Sequence, residues 1–568
     1  MPEGKGLRRN VAHYGDAEFA AYLRKAFIKA MGYTDEALER PVIGIVDTGS
    51  GFNACHRNMP DLIEAASRGV MLAGAIPVPF PVISLQESFA HPSTMYLRNL
   101  MAMDAEEMIR AQPMDAVILI GGCDKTVPAL LMGAASADIP AIMLVTGPMM
   151  AGSWRGERLG ACTDCRRFWG RFRAGELDAG QIAEVSDNLA PTIGTCGVMG
   201  TASTMALAVE AMGMMLPGGA CAPAVSSERR RIAELTGTRA VEIAREGLKP
   251  SDIMTVPAFE NAFRTVMAAG GSTNAIIHLT AMAGRLGIKV SLETVDRISR
   301  ETPVLVDLKP SGRGYMEDLH RAGGLTPILH ALRGLMKTDA LTITGRTLGD
   351  NIDAAPPAWP QDVVRGTDDP VVAGESMVVL GGNLAPGGAL LKTAAASPAL
   401  LKHRGRAVVF DSLADMAERI DSPDLDVNPD DILVLKNAGP IGAPGMPEAG
   451  YIPIPKKLAQ QGVKDMVRIS DARMSGTAFG TIVLHITPEA AAGGPLQAVR
   501  SGDIIALDAA ARSLLLEVAP EEIAFRLAQT QPCEKALYGY ARLYRQSIRQ
   551  ADEGCDFDFC IPPVRDCL

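Results

Sequence analysis

Short hydrophobic runs alternate with helix-like segments over the first third of the chain. Val42–Val46, Ile76–Ile83, Ala116–Ile120 and Ala141–Val145 are apolar runs of strand length, and helical spacing separates them. Strands that alternate with helices predict a parallel sheet wrapped by helices. The prolines inside Ile76–Ile83 indicate an edge strand, because proline has no N–H to donate to a neighbouring strand. A further helix is predicted over Glu18–Met31.

A different pattern follows the proline-rich segment Ala354–Pro360, which predicts a linker. Many short strands separated by turns predict a β-barrel or sandwich. The candidate strands are Met377–Leu380, Ala407–Phe410, Ile432–Lys436, Met466–Ile469, Thr481–Ile486, Ile504–Leu507 and Leu514–Val518. Residues 519–550 predict helices. We therefore expect an α/β protein with two domains. Residues 1–365 form the parallel-sheet domain, and residues 366–568 form a β-rich, barrel-like domain with terminal helices.

Composition and charge exclude several classes of protein. The 568 residues are 47% hydrophobic and carry a formal net charge of −10, which disfavours a nucleic-acid surface. The longest apolar stretch, Pro128–Met150, contains Asp138 and Pro140 and is too polar to span a bilayer. The N-terminus has no signal-peptide pattern, so we expect a cytoplasmic protein. In a reducing compartment the ten cysteines are free thiols, metal ligands or catalytic groups.

Polar side chains follow each predicted strand of the first domain. Cys55 follows the first strand, Glu87 the second, and Cys123-Asp-Lys125 the third. The carboxyl ends of parallel strands meet at one edge of the sheet, where open α/β sheets place their active sites. We therefore expect these residues to converge.

Three cysteines lie in loops that carry glycine or asparagine: Cys55, Cys123 and Cys196. A lone buried cysteine is usually a small apolar residue, but three in such loops indicate a shared site. Their long, unequal spacings match neither a zinc finger nor a ferredoxin. Three thiolates would leave a bound metal or cluster with an open position for a substrate. Cys162 and Cys165 form a C-x-x-C pair, the pattern of a redox or zinc site, but no second pair or nearby histidine accompanies it, which disfavours both roles. Cys533 and the three cysteines near the C-terminus receive no role.

Carboxylates indicate a second, harder cation. Glu87, Asp124 and Glu448 offer oxygen ligands, which select Mg²⁺, although a loop carboxylate such as Glu448 is also compatible with simple solvation. Gly194–Thr204 and Gly270–Asn274 precede helices and are either anion cradles or ordinary helix starts. Ser475 lies in a small-residue loop that is compatible with a nucleophile or a base, but G-x-S-x-G is absent and the local sequence by itself favours a turn.

Five motifs, in order, resemble the dihydroxyacid dehydratase and sugar-acid dehydratase family. They are GGCDKT (121–126), GTCGVMGTAST (194–204), GGSTNAIIHL (270–279), NAGPIGAPGMPE (437–448) and SDARMSGTAFG (470–480). The similarity runs from about residue 40 to the end of the β-rich region, and its details are most similar to the sugar-acid (aldonate) branch.

The resemblance implies cofactors and roles for individual residues. It implies a [2Fe–2S] cluster on Cys55, Cys123 and Cys196. It also implies Mg²⁺ held by Glu87, Asp124, Glu448 and a carbamylated Lys125. Ser475 is implied as the base, and Thr477 is assigned to substrate binding. The chain departs from the family pattern at His56, where asparagine is common, and at Cys162 and Cys165, which replace a Gly/Ser-rich stretch.

The expected activity is elimination of water from a 2,3-dihydroxy carboxylate of the sugar-acid type, such as an arabinonate or xylonate, to give a 2-oxo-3-deoxy acid. The first alternative is the dihydroxyacid dehydratase of branched-chain amino-acid synthesis; a phosphogluconate dehydratase is disfavoured, since no extra basic cluster is present. An iron–sulfur electron carrier or redox protein and a zinc-stabilised binding protein are alternatives of other classes. The family resemblance implies a homodimer or homotetramer that acts on a small molecule and binds neither nucleic acid nor membrane.

Overall fold

Two β-sheets with helices around them make up the structure, a computed structural model that describes residues 5–11, 14–530 and 538–568. Cys533 and part of the predicted helical segment 519–550 lie outside these residues. The remaining part of that segment is helical, over Pro520–Ala528 and Gly539–Ser547.

The helices and strands are numbered in chain order. The α-helices are α1 Ala17–Ala30, α2 Met59–Leu72, α3 Thr94–Ala111, α4 Thr126–Ala137, α5 Thr163–Arg173, α6 Ala179–Leu189, α7 Thr201–Met212, α8 Ser227–Glu246, α9 Pro250–Ile253, α10 Val256–Ala268, α11 Asn274–Gly284, α12 Leu292–Glu301, α13 Met316–Arg321, α14 Thr326–Leu332, α15 Leu348–Ala354, α16 Leu413–Arg419, α17 Lys456–Gln460, α18 Pro520–Ala528 and α19 Gly539–Ser547. The strands are β1 Val42–Asp47, β2 Ile76–Pro81, β3 Ala116–Gly121, β4 Ala141–Val145, β5 Gly152–Trp154, β6 Glu157–Leu159, β7 Ile288–Lys289, β8 Pro303–Val304, β9 Val372–Glu375, β10 Val378–Leu380, β11 Gly388–Leu391, β12 Lys402–Phe410, β13 Ile432–Leu435, β14 Arg468–Ser470, β15 Ile482–Thr487, β16 Ile504–Asp508, β17 Ser513–Leu516 and β18 Asp566–Cys567.

The first sheet is parallel throughout, with strand order β2-β1-β3-β4. Strand β3 is buried along its whole length and β4 likewise, as near-continuous apolar runs in a parallel sheet require. The proline-bearing strand β2 forms an edge, as its sequence predicted. Helix α7 beside the sheet is buried at every residue, which is typical of a helix that is apolar on all sides.

The second sheet has eight strands in the order β10-β11-β15-β14-β13-β12-β16-β17. Its four central strands, β15-β14-β13-β12, are parallel and its outer pairs are antiparallel. The two edges meet: the Gly381 N–H donates to Arg512 O at 2.9 Å, and the Leu514 N–H donates to Gly381 O at 2.7 Å. The sheet therefore closes into a barrel, and the predicted α/β class with a barrel-like second part is confirmed.

Three strands of the second half were not predicted: the two-residue strand Asp566–Cys567, and Val372–Glu375 and Gly388–Leu391. The last two have a common physical reason. Each is four residues long and contains glycine, so local β-propensity is weak, and pairing with neighbouring strands makes them extended. The hydrophobic core around the parallel sheet, here called the first hydrophobic core, also includes Met377 and Leu390 from the second half. The boundary between residues 365 and 366 stays a prediction.

None of the helices within the described ranges combines the length and the apolar character needed to cross a bilayer.

Candidate active site

The loops that carry the three predicted cysteines lie side by side at the carboxyl end of the parallel sheet. Cys55 follows β1 and Cys123 follows β3, and both side chains are buried. The interaction with Cys55, together with burial, raises the pKa of the Cys123 thiol well above its ordinary value. The Gly194 N–H donates to Ala54 O at 3.3 Å, which brings the Cys196 loop against the Cys55 turn. A Cβ atom on Gly122 would lie 1.8 Å from Thr146 Oγ1 and 3.2 Å from a carbon of Thr195, so only glycine fits there.

His56 holds two of these loops together. Its Nε2 accepts the backbone N–H groups of Gly122 and Cys123, both at 2.9 Å, and its Nδ1 lies 2.9 Å from Thr48 O. Because Nε2 accepts, Nδ1 must carry the proton and donate it to Thr48. Burial lowers the pKa of His56 to about 4. The ring is therefore neutral and acts as a backbone clamp beside Cys55 and Cys123.

A fourth thiol lies next to the predicted three. Cys162 Sγ is 3.1 Å from Cys196 Sγ, and the Cys165 thiol donates to Cys162 O at 2.9 Å. The side-chain hydrogen bond with Cys165 lowers the pKa of Cys162, but contact with Cys196 and burial outweigh it and raise that pKa well above its ordinary value. The Cys162–Cys165 segment, at the start of α5, thus packs directly on the Cys196 loop.

The three predicted carboxylates converge. Glu87, Asp124 and Glu448 each offer an oxygen, and these oxygens lie within 4.8 Å of one another. Glu87 comes from the segment after β2, Asp124 from the loop after β3, and Glu448 from the segment after β13. Cys123 Sγ lies 3.5 Å from Asp124 Oδ1, so the thiols and carboxylates adjoin.

Two buried cations balance these carboxylates. The Lys125 ammonium donates to Asp124, lies 3.2 Å from Glu87 Oε2 and 3.9 Å from Glu448 Oε1. Arg473 bridges Glu448 and Glu87, with Nη1 2.7 Å from Glu448 Oε1 and Nη2 2.8 Å from Glu87 Oε1. Both cationic side chains are fully buried. The Lys125 ammonium therefore stands in the position of a cation held by three carboxylates.

The charges of this group shift its pKa values in opposite directions. Burial alone would raise the pKa of Glu87, but Arg473 and Lys125 hold it well below its usual range. Burial raises the pKa of Glu448, against the effect of Arg473. Burial and Arg473 would lower the pKa of Lys125, yet the three carboxylates raise it above its ordinary value. The three carboxylates face three cationic side chains, Lys125, Arg473 and Arg166, the last with Nη2 4.0 Å from Glu448 Oε2. A metal cation here would therefore take the place of the Lys125 charge.

The predicted serine lies in a loop held by the starts of two helices. Ser475 Oγ is 2.8 Å from Thr477 Oγ1. Asn274 Nδ2, at the start of α11, donates to Met474 O at 2.9 Å and to Thr201 Oγ1, at the start of α7, at 3.2 Å. A Cβ atom on Gly200 would lie 2.7 Å from Thr477 Cγ2 and 3.9 Å from Cys196 Cβ. The serine loop therefore borders the thiols.

Arg166 of α5 links the serine loop to the carboxylates. Its Nη1 donates to Thr477 Oγ1 at 3.0 Å, and its Nη2 lies 4.0 Å from Glu448 Oε2. The thiols, the carboxylates and the serine loop thus form one contiguous site, to which the parallel-sheet half and the barrel half both contribute.

Arg473 and Arg166 were not predicted as site residues. Arg473 stands between Ala472 and Met474, two residues before Ser475, and its buried neighbours give a weak signal that it is also buried. Arg166 follows the Cys162–Cys165 pair, and nothing in its local sequence distinguishes it from Arg167, which pairs with Glu157 and Asp164 instead.

The family whose models match this chain consists of dehydratases, enzymes of the carbon–oxygen hydro-lyase class. The chain belongs to the dihydroxy-acid/6-phosphogluconate dehydratase family: the family's N-terminal domain matches residues 40–351 and its C-terminal domain matches residues 362–555.

Relatives with curated names cover almost the whole chain. The L-arabonate dehydratase of Azospirillum brasilense is 48% identical, over 99% of this chain and 98% of the relative. The L-arabinonate dehydratase of Rhizobium leguminosarum bv. trifolii is 47% identical, over 97% and 96%. The dihydroxy-acid dehydratase of Caldicellulosiruptor saccharolyticus is 39% identical, over 94% and 97%.

Proposed function

We propose that this enzyme dehydrates a sugar acid of the aldonate type, a 2,3-dihydroxy carboxylate, to a 2-oxo-3-deoxy acid. The observation that carries this proposal is the contact between soft and hard ligand groups, with Cys123 Sγ 3.5 Å from Asp124 Oδ1. A substrate at this border can present its hydroxyl to one group and its carboxylate to the other. The 48% identity to an L-arabonate dehydratase supports the aldonate class.

The residues fit the two cofactors that the family resemblance implies. Cys55, Cys123 and Cys196 would hold a [2Fe–2S] cluster, since their loops are adjacent. Contact with Cys55 and burial raise the pKa of the Cys123 thiol, so binding a cluster would require this thiol to lose its proton. Glu87, Asp124 and Glu448 would hold Mg²⁺, because three carboxylates already surround the Lys125 ammonium. When bound, the two cofactors supply Lewis acidity to the leaving hydroxyl and to the substrate carboxylate.

Lys125 can join the Mg²⁺ ligands only after a chemical change. An ammonium group has no lone pair for a metal, and the neighbouring carboxylates favour this charged form. Carbamylation joins the neutral amine to carbon dioxide with release of a proton, and it converts the side chain into an anionic oxygen ligand. We include this modification in the proposal.

Ser475 removes the C2 proton in this proposal, and its neighbours orient it. The serine loop borders both the Cys196 loop and the carboxylates through Thr477 and Arg166. Arg473 bridges Glu87 and Glu448 without occupying all of their oxygens. Lys125 and Arg473 are fully buried, and charges in a buried environment interact more strongly than charges in water.

A substrate panel tests the function. Protein purified without oxygen is assayed with Mg²⁺ on aldonates of three to six carbons and on 2,3-dihydroxyisovalerate, and the 2-oxo acid is measured. We expect kcat/KM for an aldonate to exceed that for 2,3-dihydroxyisovalerate by at least about tenfold, a difference of about 1.4 kcal/mol. The reverse ranking would favour the dihydroxy-acid dehydratase alternative, which the 39% identical relative supports. No turnover of any acid would refute the proposal.

Ser475→Ala tests the base in the same assay. We expect turnover to fall at least about 100-fold, the usual contribution of a general base. Ser412→Ala is the matched control, because Ser412 only caps α16. Turnover within about threefold of the unchanged enzyme in Ser475→Ala would place the base elsewhere.

A further inference from the structure

A serine hydroxyl is a poor base near neutral pH unless its neighbours stabilise the deprotonated oxygen. In the described part of the chain, Ser475 Oγ forms a side-chain hydrogen bond with Thr477 Oγ1 at 2.8 Å. Stabilisation of a serine alkoxide by Thr477 requires that the threonine hydroxyl donate its single hydrogen to Ser475. The question is therefore which group fixes the orientation of the Thr477 hydroxyl.

Arg166 fixes that orientation. Its Nη1 is 3.0 Å from Thr477 Oγ1, and a guanidinium only donates hydrogen bonds. The Thr477 hydroxyl oxygen therefore accepts a hydrogen bond from Arg166. Among the described residues, Ser475 Oγ is then the acceptor within hydrogen-bond distance to which the Thr477 hydroxyl can donate its hydrogen. When Ser475 is deprotonated, donation from Thr477 to Ser475 is the single possible direction.

Helix α5 holds this arrangement rigidly. Thr163 Oγ1 donates to the backbone oxygen of Thr477 at 2.8 Å. Together with the Arg166 contact, α5 therefore hydrogen-bonds both the backbone and the side chain of Thr477. Arg166 Nη1 also donates to Cys162 O at 3.0 Å, at the start of the same helix. The Arg166 side chain is only 21% exposed, so its charge is weakly screened by water.

We propose that Arg166, acting through Thr477, positions and stabilises Ser475 as an alkoxide; this inference rests on the proposed function, in which Ser475 is the base. The alkoxide takes the C2 proton and becomes a hydroxyl, while the electron pair of the C2–H bond forms the C2–C3 double bond. The C3–O bond breaks, the hydroxide leaves with its electron pair, and a proton from Ser475 completes the water molecule. The alkoxide is then restored, with Thr477 donating to it throughout. Arg166 touches no reacting atom and is a positioning residue.

The test uses the intact enzyme loaded with iron and Mg²⁺ and compares Arg166→Gln, Arg166→Lys, Thr477→Val and Thr477→Ser. Arg171→Gln is the matched control, because Arg171 lies on the same helix and pairs with Glu176 at 3.0 Å. We expect Arg166→Gln and Thr477→Val to lower kcat about 10- to 100-fold, the usual cost of removing a group that orients a functional side chain. KM should change by less than about threefold, because the inference gives both groups the role of orienting Ser475. The assignment of Thr477 to substrate binding predicts a rise in KM for Thr477→Val instead.

The pH profile separates this role from a purely structural one. Without the cation and the donor, the acid limb of kcat/KM should move to higher pH in Arg166→Gln and Thr477→Val. Arg166→Lys and Thr477→Ser should recover part of the loss, since each retains the charge or the hydroxyl. In the Ser475→Ala background, Arg166→Gln should cost nothing further, because the two residues act as one unit.

Several results would overturn the inference. They are a kcat of Arg166→Gln equal to that of Arg171→Gln, a loss confined to KM, an unmoved pH profile, or losses that add in the double variant. A KM effect alone would assign Arg166 to a substrate anion. If Arg166→Gln does not fold or does not retain iron, the kcat and pH profile of Thr477→Val test the inference by themselves. A failure of the proposed function is distinguishable, because the unchanged enzyme would then turn over no acid, or Ser475→Ala would stay active.

Discussion

The two ligand groups of the site are built in different ways. The thiols belong to loops of the parallel-sheet half, and backbone hydrogen bonds and the neutral ring of His56 hold them. The carboxylates are held by charge, and two of the groups involved, Glu448 and Arg473, come from the barrel half. Arg473 and Glu87, which form an ion pair, are 386 residues apart in sequence. The thiol group is therefore formed by the parallel-sheet half alone, whereas the carboxylate group forms only when the two halves are in contact.

This difference predicts different sensitivities. A group of ligands held by backbone hydrogen bonds should lose metal binding only when a ligand atom itself is removed, because the surrounding loops keep their shape. A site fixed by buried charges fails when its balance changes, because an unpaired buried charge is costly. The following variants test the two halves of this comparison.

The largest effect is expected on the thiol side, for Cys123→Ser. A hydroxyl is a poor ligand for iron, so we expect loss of the visible iron–sulfur absorbance and a fall in kcat of about 10³-fold or more, corresponding to several kcal/mol of Lewis-acid assistance. Absorbance, bound iron and activity are measured together. Cys221→Ser is the control, because Cys221 is a buried residue of the first hydrophobic core. Retention of both absorbance and activity by Cys123→Ser would refute the ligand assignment.

On the carboxylate side, Glu448→Gln should weaken Mg²⁺ binding and leave the iron in place. Loss of a residue that only orients a ligand costs about 10- to 100-fold in metal affinity, and loss of a direct ligand should cost at least as much. The Mg²⁺ concentration for half-maximal activity is therefore expected to rise about 100-fold. Glu489→Gln is the control: Glu489 is also buried, but it accepts the backbone N–H groups of Ile441 and Gly442. An unchanged Mg²⁺ requirement in Glu448→Gln would remove it from the site.

The smallest effect is expected on the free energy of unfolding, through the buried side chain of His485. His485 is buried with φ of 57°, and neither ring nitrogen has a hydrogen-bond partner in the described part of the chain. Burial and, to a smaller extent, Arg473 lower its pKa to about 3. The folded state thus binds fewer protons than the unfolded state, whose histidine pKa is about 6.5. Stability from this group is full above pH 6.5 and is lost as the pH falls toward 3.

His485→Asn removes this titration, and asparagine tolerates the positive φ. Between pH 7 and pH 5 the unchanged protein should lose about 2 kcal/mol more unfolding free energy than the variant. Denaturant titrations at the two pH values measure the difference. Parallel losses in both proteins would show that His485 does not stay neutral in the fold.

The parts of the site that sequence could predict are those set by strand ends. Cys55 and Cys123 follow buried apolar runs, so their meeting at one rim followed from sheet geometry. Arg473 and Arg166 could not be predicted in the same way, because their positions depend on how α5 and the barrel dock on the sheet. The unpredicted strand Gly388–Leu391 fails for a related reason, since its extended form depends on pairing with strands β10 and β15.

The edge strand β2 has a consequence for how copies of this protein can associate. The Ile76 N–H points to the sheet interior, where it donates to Pro41 O at 2.8 Å. N–H positions alternate along a strand, so the outward positions are residues 77, 79 and 81, and all three are proline. This rim offers no outward N–H groups to an approaching strand, so a second copy cannot extend the sheet there by a regular ladder.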